Sequence, residues 1–101
     1  MAARAPDRGE LVWISRRPAV VLSPRAYNAK AGLSLCCPVT SRAKGYPFEV
    51  LLPEGLGVSG VVLADHVKSL DWRARAVERA GRVPEETLAE IVGKLSALLS
   101  G

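Results

Sequence analysis

Short apolar runs, each stopped by proline, glycine or a polar pair, limit this chain to folds built from short strands. Glu10–Ser15, Pro18–Leu22, Leu33–Cys37, Phe48–Leu52 and Gly60–Ala64 are all of strand length and rich in Val, Leu and Ile, the composition of a pleated, buried surface. None approaches the ~18–20 apolar residues of a membrane-spanning helix. The connector Ser15-Arg16-Arg17 is short for a hairpin whose second strand opens with proline. Pro38 is expected to end the third strand. Ser41–Pro47 reads as a loop broken by Gly45 and Pro47, Pro53–Gly57 as a turn-rich connector, and Val67–Ala76 as further short extended pieces.

Two segments read as helices. Ser23 followed by Pro24 resembles a cap and a first helical residue, Tyr27 and Ala31 fall four apart, and Gly32 supplies a stop. Near the C-terminus Pro84 stands at a first helical position, with Glu85 and Glu86 where negative charge meets the positive end of the helix dipole. Behind them Leu88, Ile91, Val92, Leu95, Leu98 and Leu99 recur at three- and four-residue steps. That spacing predicts one apolar stripe on a helix of about four turns, whose burial is worth on the order of 10 kcal/mol before entropy is counted. Several short strands with a small internal helix and a terminal amphipathic helix predict an α+β fold, mainly β: a small twisted barrel capped by helices.

Composition narrows the class. At 101 residues, 49% hydrophobic and 24% charged, the chain suits a single domain over 1–101 and not a disordered segment. Basic residues at the N-terminus are followed by no apolar stretch, so no secretory leader is expected. The two cysteines, Cys36 and Cys37, are adjacent; neighbours on a strand face opposite ways and cannot readily bridge or share a metal. With one histidine as well, no metal site is expected, and a reducing cytoplasm is the simplest compartment. Charge is uneven: residues 1–44 carry eight Lys/Arg against two acids, whereas residues 45–101 carry six basic and eight acidic side chains. A basic half suits a polyanion or an acidic peptide.

Seven collinear blocks then resemble one family. Arg16-Arg17-Pro18 through Pro24, Tyr27-Asn28, Pro38-Val-Thr-Ser41, Lys44-Gly-Tyr-Pro-Phe-Glu-Val50, Gly60–Asp65, Val67–Arg75 and Gly81-Arg-Val-Pro84 are similar to the MazF/PemK toxins of bacterial toxin–antitoxin systems. The resemblance implies an SH3-like barrel, a homodimer, and an endoribonuclease that needs no metal or other cofactor. It implies single-stranded RNA as substrate, with the 2′-hydroxyl attacking the adjacent phosphate to leave a cyclic phosphate and a 5′-hydroxyl. It also implies a cognate antitoxin whose C-terminal segment lies across the RNA groove.

Such a reaction gathers negative charge on the phosphorane oxygens, and so calls for a fixed cation, hydrogen-bond donors and proton-transfer groups. By resemblance, Arg17 is the catalytic arginine, stabilising phosphate through a guanidinium that stays charged, and Thr40 is the active-site hydroxyl. Asp65 and His66 are candidate assistants. His66 stands where the family usually has glutamine, and histidine is the side-chain type that can serve as base or acid near neutrality. Arg16, Ser41, Lys44, Tyr46, Lys68 and Ser69 are the candidate RNA contacts, the cations for phosphate and Tyr46 for stacking on an unpaired base. Phe48, Trp13 and Trp72 read as packing residues, the tryptophans alternatively as dimer-interface residues, and residues 61–75 with the terminal helix as the dimer surface.

One departure divides the functional expectations. Family members usually carry about a dozen more residues between the first strand and the Arg-Pro block, in a glycine-rich loop whose glutamate is a candidate base. Here Trp13-Ile-Ser-Arg-Arg-Pro18 runs on directly. Beside the nuclease stands the alternative of a weakened or inactive homologue acting as an RNA- or antitoxin-binding module.

Overall fold

Side chains alternate across the central strands, and both faces of the sheet are covered. In the computed structural model, which describes residues 4–101, β1 (Glu10–Ile14), β2 (Arg17–Val21) and β3 (Ser34–Thr40) lie side by side. Residues 1–3, where the reading for a leader begins, lie outside that range. Leu11, Val20, Cys37 and Val39 enter one core with Val50, Val62 and Ile91. Val12, Ile14, Ala19, Val21 and Cys36 enter a second, backed by Leu70 and Val77. A strand buried on both faces needs apolar residues at consecutive positions, which accounts for the unbroken runs. Cys36 and Cys37 therefore point into different cores as free thiols. Burial pushes both thiols up, Cys37 to about 12, which leaves them inert.

The remaining strands are short: β4 (Glu49–Leu51), β5 (Val61–Leu63), β6 (Lys68–Leu70) and β7 (Val77–Arg82). All pairings are antiparallel, in the order β4-β5-β3-β2-β1-β7, with β6 on β3. This is the expected α+β class. The sheet curls like a barrel without closing, since β4, β6 and β7 each keep one strand partner.

Pro38 does not end β3, contrary to the sequence reading. It pairs with Ala19 of β2 on one side. On the other it falls between Cys36, opposite β6, and Val39, opposite β5. A missing N–H at that handover breaks no ladder bond. The short β1–β2 connector does make a hairpin, because Arg17 joins the strand and leaves a two-residue turn. Ser15 and Arg16 take φ of 50° and 69°, both left-handed, as a turn matching the twist of the strands requires. β7 was not legible, because its residues alternate no apolar pattern and four of its six positions are exposed.

Both helices start one residue later than their sequences suggest. α1 (Arg25–Ala31) has Pro24 in the cap position, and Ser23 is buried in another role. Its hydroxyl donates to Asn28 Oδ1 and accepts the N–H of Leu35 at 2.9 Å. Asn28, fully buried, also donates to the carbonyls of Pro6 and Ser23, and its own carbonyl accepts the indole N–H of Trp72 at 2.8 Å. α1 is thus held by a satisfied polar cluster. α2 (Glu85–Ser100) is capped at Pro84. Only Leu88, Ile91 and Leu95 of the stripe meet the core, while Val92, Leu98 and Leu99 stay exposed. Sixteen residues make a rod of roughly 24 Å, and the sheet beneath supports only its first turns. The burial expected of the stripe is therefore about halved within one chain.

The segment before β1 is fastened by charge. Arg25 and Arg79 flank the buried Glu10 at 3.8 and 3.0 Å. Asp7 Oδ1 accepts the N–H of Arg25 and of Arg8, and Asp7 Oδ2 lies 3.6 Å from Arg82. The Arg25 N–H, foremost, holds the Asp7 carboxyl below its ordinary range, against the opposing effect of partial burial. A carboxyl lowered on folding adds stability above its unfolded pKa and loses it as pH falls through the folded value. Asp7→Ala is expected to cost on the order of 1 kcal/mol at pH 7, a few degrees in Tm. Thermal unfolding as a function of pH should show that gap narrowing below about pH 4; a gap of constant size down to pH 2 would remove the charge from the explanation.

Candidate active site

Strand register decides what can meet what at the open end of β2 and β3. Ala19 lies opposite Pro38, and two residues further along each strand are Arg17 and Thr40. Because side chains repeat every second residue, Arg17 and Thr40 share the face of Ala19 and Pro38. On that face a groove of about 500 Å³ opens, lined by Arg17, Pro18, Pro38, Lys68 and Arg75 with Cys36 at its floor. Lys68 reaches it because β6 pairs on β3 with Lys68 opposite Cys36. Arg75 reaches it from the segment before β7, where the N–H of Ser15 donates to the carbonyl of Ala76 at 3.0 Å.

The groove is electrostatically one-sided. Three cations line it and no carboxylate does. Arg17, Lys68 and Arg75 take part in none of the ion pairs among the described residues. Cations gathered with no acid among them focus a positive field that attracts an anion. Guanidinium groups add fixed forks of donors that match phosphate oxygens.

Thr40 ends β3 half-buried. Its Oγ1 accepts the N–H of Arg42 at 3.2 Å, leaving its own proton free to donate elsewhere. Its position depends on Gly60. A Cβ at Gly60 would stand 2.2 Å from the Thr40 carbonyl oxygen, and φ there is 131°, so only glycine allows this approach.

The other candidates are distributed around the groove and do not line it. Ser41 is exposed just past β3. Lys44 and Tyr46 are exposed on the β3–β4 loop, with Lys44 Nζ 6.0 Å from the ring centre of Tyr46. That loop is shaped by Glu49, whose carboxylate accepts the N–H groups of Lys44 and Gly45 at 2.9 and 3.0 Å. Asp65 and His66 are exposed in the turn between β5 and β6, 3.8 Å from each other. Ser69 follows Lys68 on β6 and so faces the other way. Arg16 sits on the β1–β2 turn and faces a different hollow, shared with Trp13.

Arg75 went unassigned in the sequence, where Arg73 and Arg75 look alike in one basic stretch. Only the fold separates them: Arg73 donates to the carbonyl of Ala29 and lies 5.2 Å from the Trp72 ring, while Arg75 stands between the hollow it shares with Arg73 and the groove, and lines both.

Comparison with known proteins places the chain in a family. Residues 6–99 match the model of the PemK-like, MazF-like toxin of type II toxin–antitoxin systems. The Escherichia coli (strain K12) endoribonuclease toxin MazF is 47% identical over 105 residues, covering 93% of this chain and 94% of that protein. An Escherichia coli endoribonuclease PemK is 37% identical over 110 residues, covering 93% of this chain and 82% of its own. A solved MazE–MazF complex from Deinococcus radiodurans superposes with a TM-score of 0.95 at 61% identity, over 98% of this chain and 100% of that one. The chain belongs to the PemK-like, MazF-like family of type II toxins.

Proposed function

We propose that this protein is the toxin of a type II toxin–antitoxin pair and an endoribonuclease that cuts single-stranded mRNA without a metal. The observation that carries the reading is the acid-free groove of Arg17, Lys68 and Arg75, with Thr40 in register beside Arg17. Its relatives in Escherichia coli are named endoribonucleases.

The chemistry follows from the charge. The 2′-oxygen bonds to the neighbouring phosphorus, the bond to the 5′-oxygen breaks, and a cyclic phosphate and a 5′-hydroxyl result. Arg17 binds the non-bridging oxygens as negative charge builds on them. The Thr40 hydroxyl holds the same phosphate or the attacking oxygen. Lys68 and Arg75 fix adjoining phosphates, an effect that weakens with salt. Asp65 and His66, just ahead of Lys68 in the chain, assist proton transfer. Arg16, Ser41, Lys44, Tyr46 and Ser69 extend the contact with RNA beyond the groove.

The partner is an antitoxin, in keeping with the MazE–MazF assembly of the Deinococcus radiodurans relative. An acidic, partly apolar segment suits the same cationic groove and would exclude RNA from it. A second copy of the chain covers the stripe that α2 leaves open, where Val92, Leu98 and Leu99 are exposed and Leu99 keeps 80% of its surface. Patches of this kind mark interfaces. The cytoplasm, where mRNA and antitoxin meet, is its place of action.

Two measurements test this reading. In EDTA the purified protein is expected to cleave a single-stranded RNA, with Arg17→Ala losing about 10²–10³ in kcat and Thr40→Val about tenfold, both folded by circular dichroism. Undiminished cleavage by Arg17→Ala would remove that residue from the mechanism. No cleavage by the unaltered chain, with RNA still bound, would instead establish the binding module. Sedimentation at micromolar concentration should give a dimer that Leu99→Glu dissociates; a monomer at that concentration would contradict the dimer.

A further inference from the structure

The β1–β2 turn has a hollow on each of its sides. One is the cationic groove. The other, about 460 Å³, is lined by Trp13, Arg16, Ala76 and Glu78, a volume suited to a small planar group. Strand register builds it: Trp13 of β1 lies opposite Pro18 of β2 and opposite Glu78 of β7. Indole and carboxylate are therefore cross-strand neighbours on one face.

The two tryptophans contrast sharply. Trp72 is buried, and its indole N–H is satisfied by the carbonyl of Asn28, as the packing reading expected. Trp13 is only half-buried, and its indole N–H meets no acceptor among the described residues. Glu78 and Arg16 are exposed, and neither takes part in an ion pair among the described residues. Packing alone does not explain an aromatic ring left open between an unpaired carboxylate and an unpaired guanidinium. A two-residue turn leaves this row uncovered, where a longer connection would have chain to lay over it.

We infer that this hollow is a nucleobase subsite, an inference that rests on the chain's binding RNA. The Trp13 ring stacks on an unpaired base, a contact open to any base. Glu78 then selects among them. An ionised carboxylate only accepts hydrogen bonds, and guanine alone offers it two adjacent N–H donors, N1–H and the N2 amino group. Uracil presents one ring N–H, and adenine and cytosine present an amino group next to an acceptor, which repels the second carboxylate oxygen. Arg16 holds the phosphate of the same nucleotide. RNA is favoured over a peptide by position. Arg16 and Arg17 are consecutive and serve opposite sides of one turn, so a strand crossing the turn sets a phosphate in the groove and the neighbouring base against Trp13. The subsite thus gives a guanine preference at one position beside the cleaved bond.

The test uses 2′-deoxy tetranucleotides, which lack the attacking hydroxyl and are not cut. One set is free of guanine, and the other moves a single guanine through the four positions. Binding is followed by tryptophan fluorescence on the full chain. A guanine at one position is expected to tighten binding about tenfold and to quench the fluorescence. Glu78→Gln, folded by thermal unfolding, should lose the preference, and Trp13→Phe should lose the quench. Equal affinity for all sets, or a preference that survives Glu78→Gln, overturns the subsite while leaving the RNA reading intact. Binding of no oligonucleotide overturns both. Quenching by an acidic peptide but by no oligonucleotide assigns the hollow to a protein partner and likewise overturns it.

Discussion

The pairing of β2 with β3 sets everything else in place. Val21 opposite Cys36 and Ala19 opposite Pro38 fix which residues share a face, and a slip of one position would carry Arg17 to the opposite side from Thr40. That slip is costly, because it would also exchange the two cores: Val20 and Cys37 belong to one, Val21 and Cys36 to the other. Packing on both sides of the sheet thus enforces the geometry of the polar end. Stability and chemistry rest on the same register.

Charge is arranged in two ways in this molecule. Around the N-terminal segment the arginines are spent on carboxylates: Arg25 and Arg79 on Glu10, Arg82 on Asp7. These groups fasten the chain to the sheet and are unavailable to a ligand. At the groove three cations gather without acids, an arrangement whose mutual repulsion is relieved when an anion enters. The basic balance of the first 44 residues was visible in the sequence, but which cations were free was not.

Much of the fold was legible, and the failures have physical causes. The apolar runs gave β1, β2, β3 and β5 because burial on both faces leaves a strong compositional mark, and β4 was read from a similar run although Leu51 stands exposed. β7 left none, since Val77–Arg82 is an edge strand with mostly exposed residues. Pro38 misled because its effect depends on what lies alongside, and the handover from β6 to β5 is a tertiary fact. For the α2 stripe, periodicity shows that an apolar face exists and says nothing of whether the same chain covers it. Among site residues, Arg17, Thr40 and Lys68 were marked by the family blocks. Arg75 closes the block Val67–Arg75 but was given no role there, because only the fold tells it from Arg73, and the exposure of Trp13 depended on the length of a turn.

A phosphate backbone lying against Arg17, Thr40, Lys68 and Arg75, as proposed, would change the surroundings of all four at once. The most direct measurement is nuclear magnetic resonance of the isotope-labelled protein titrated with an uncut 2′-deoxy oligonucleotide. The Arg17 and Arg75 side-chain Nε–H signals and the backbone amides near Thr40 and Lys68 are expected to shift together, saturably and less at high salt. Shifts confined to α2 or to the segment around Asp7, with the groove signals unmoved, would contradict the account.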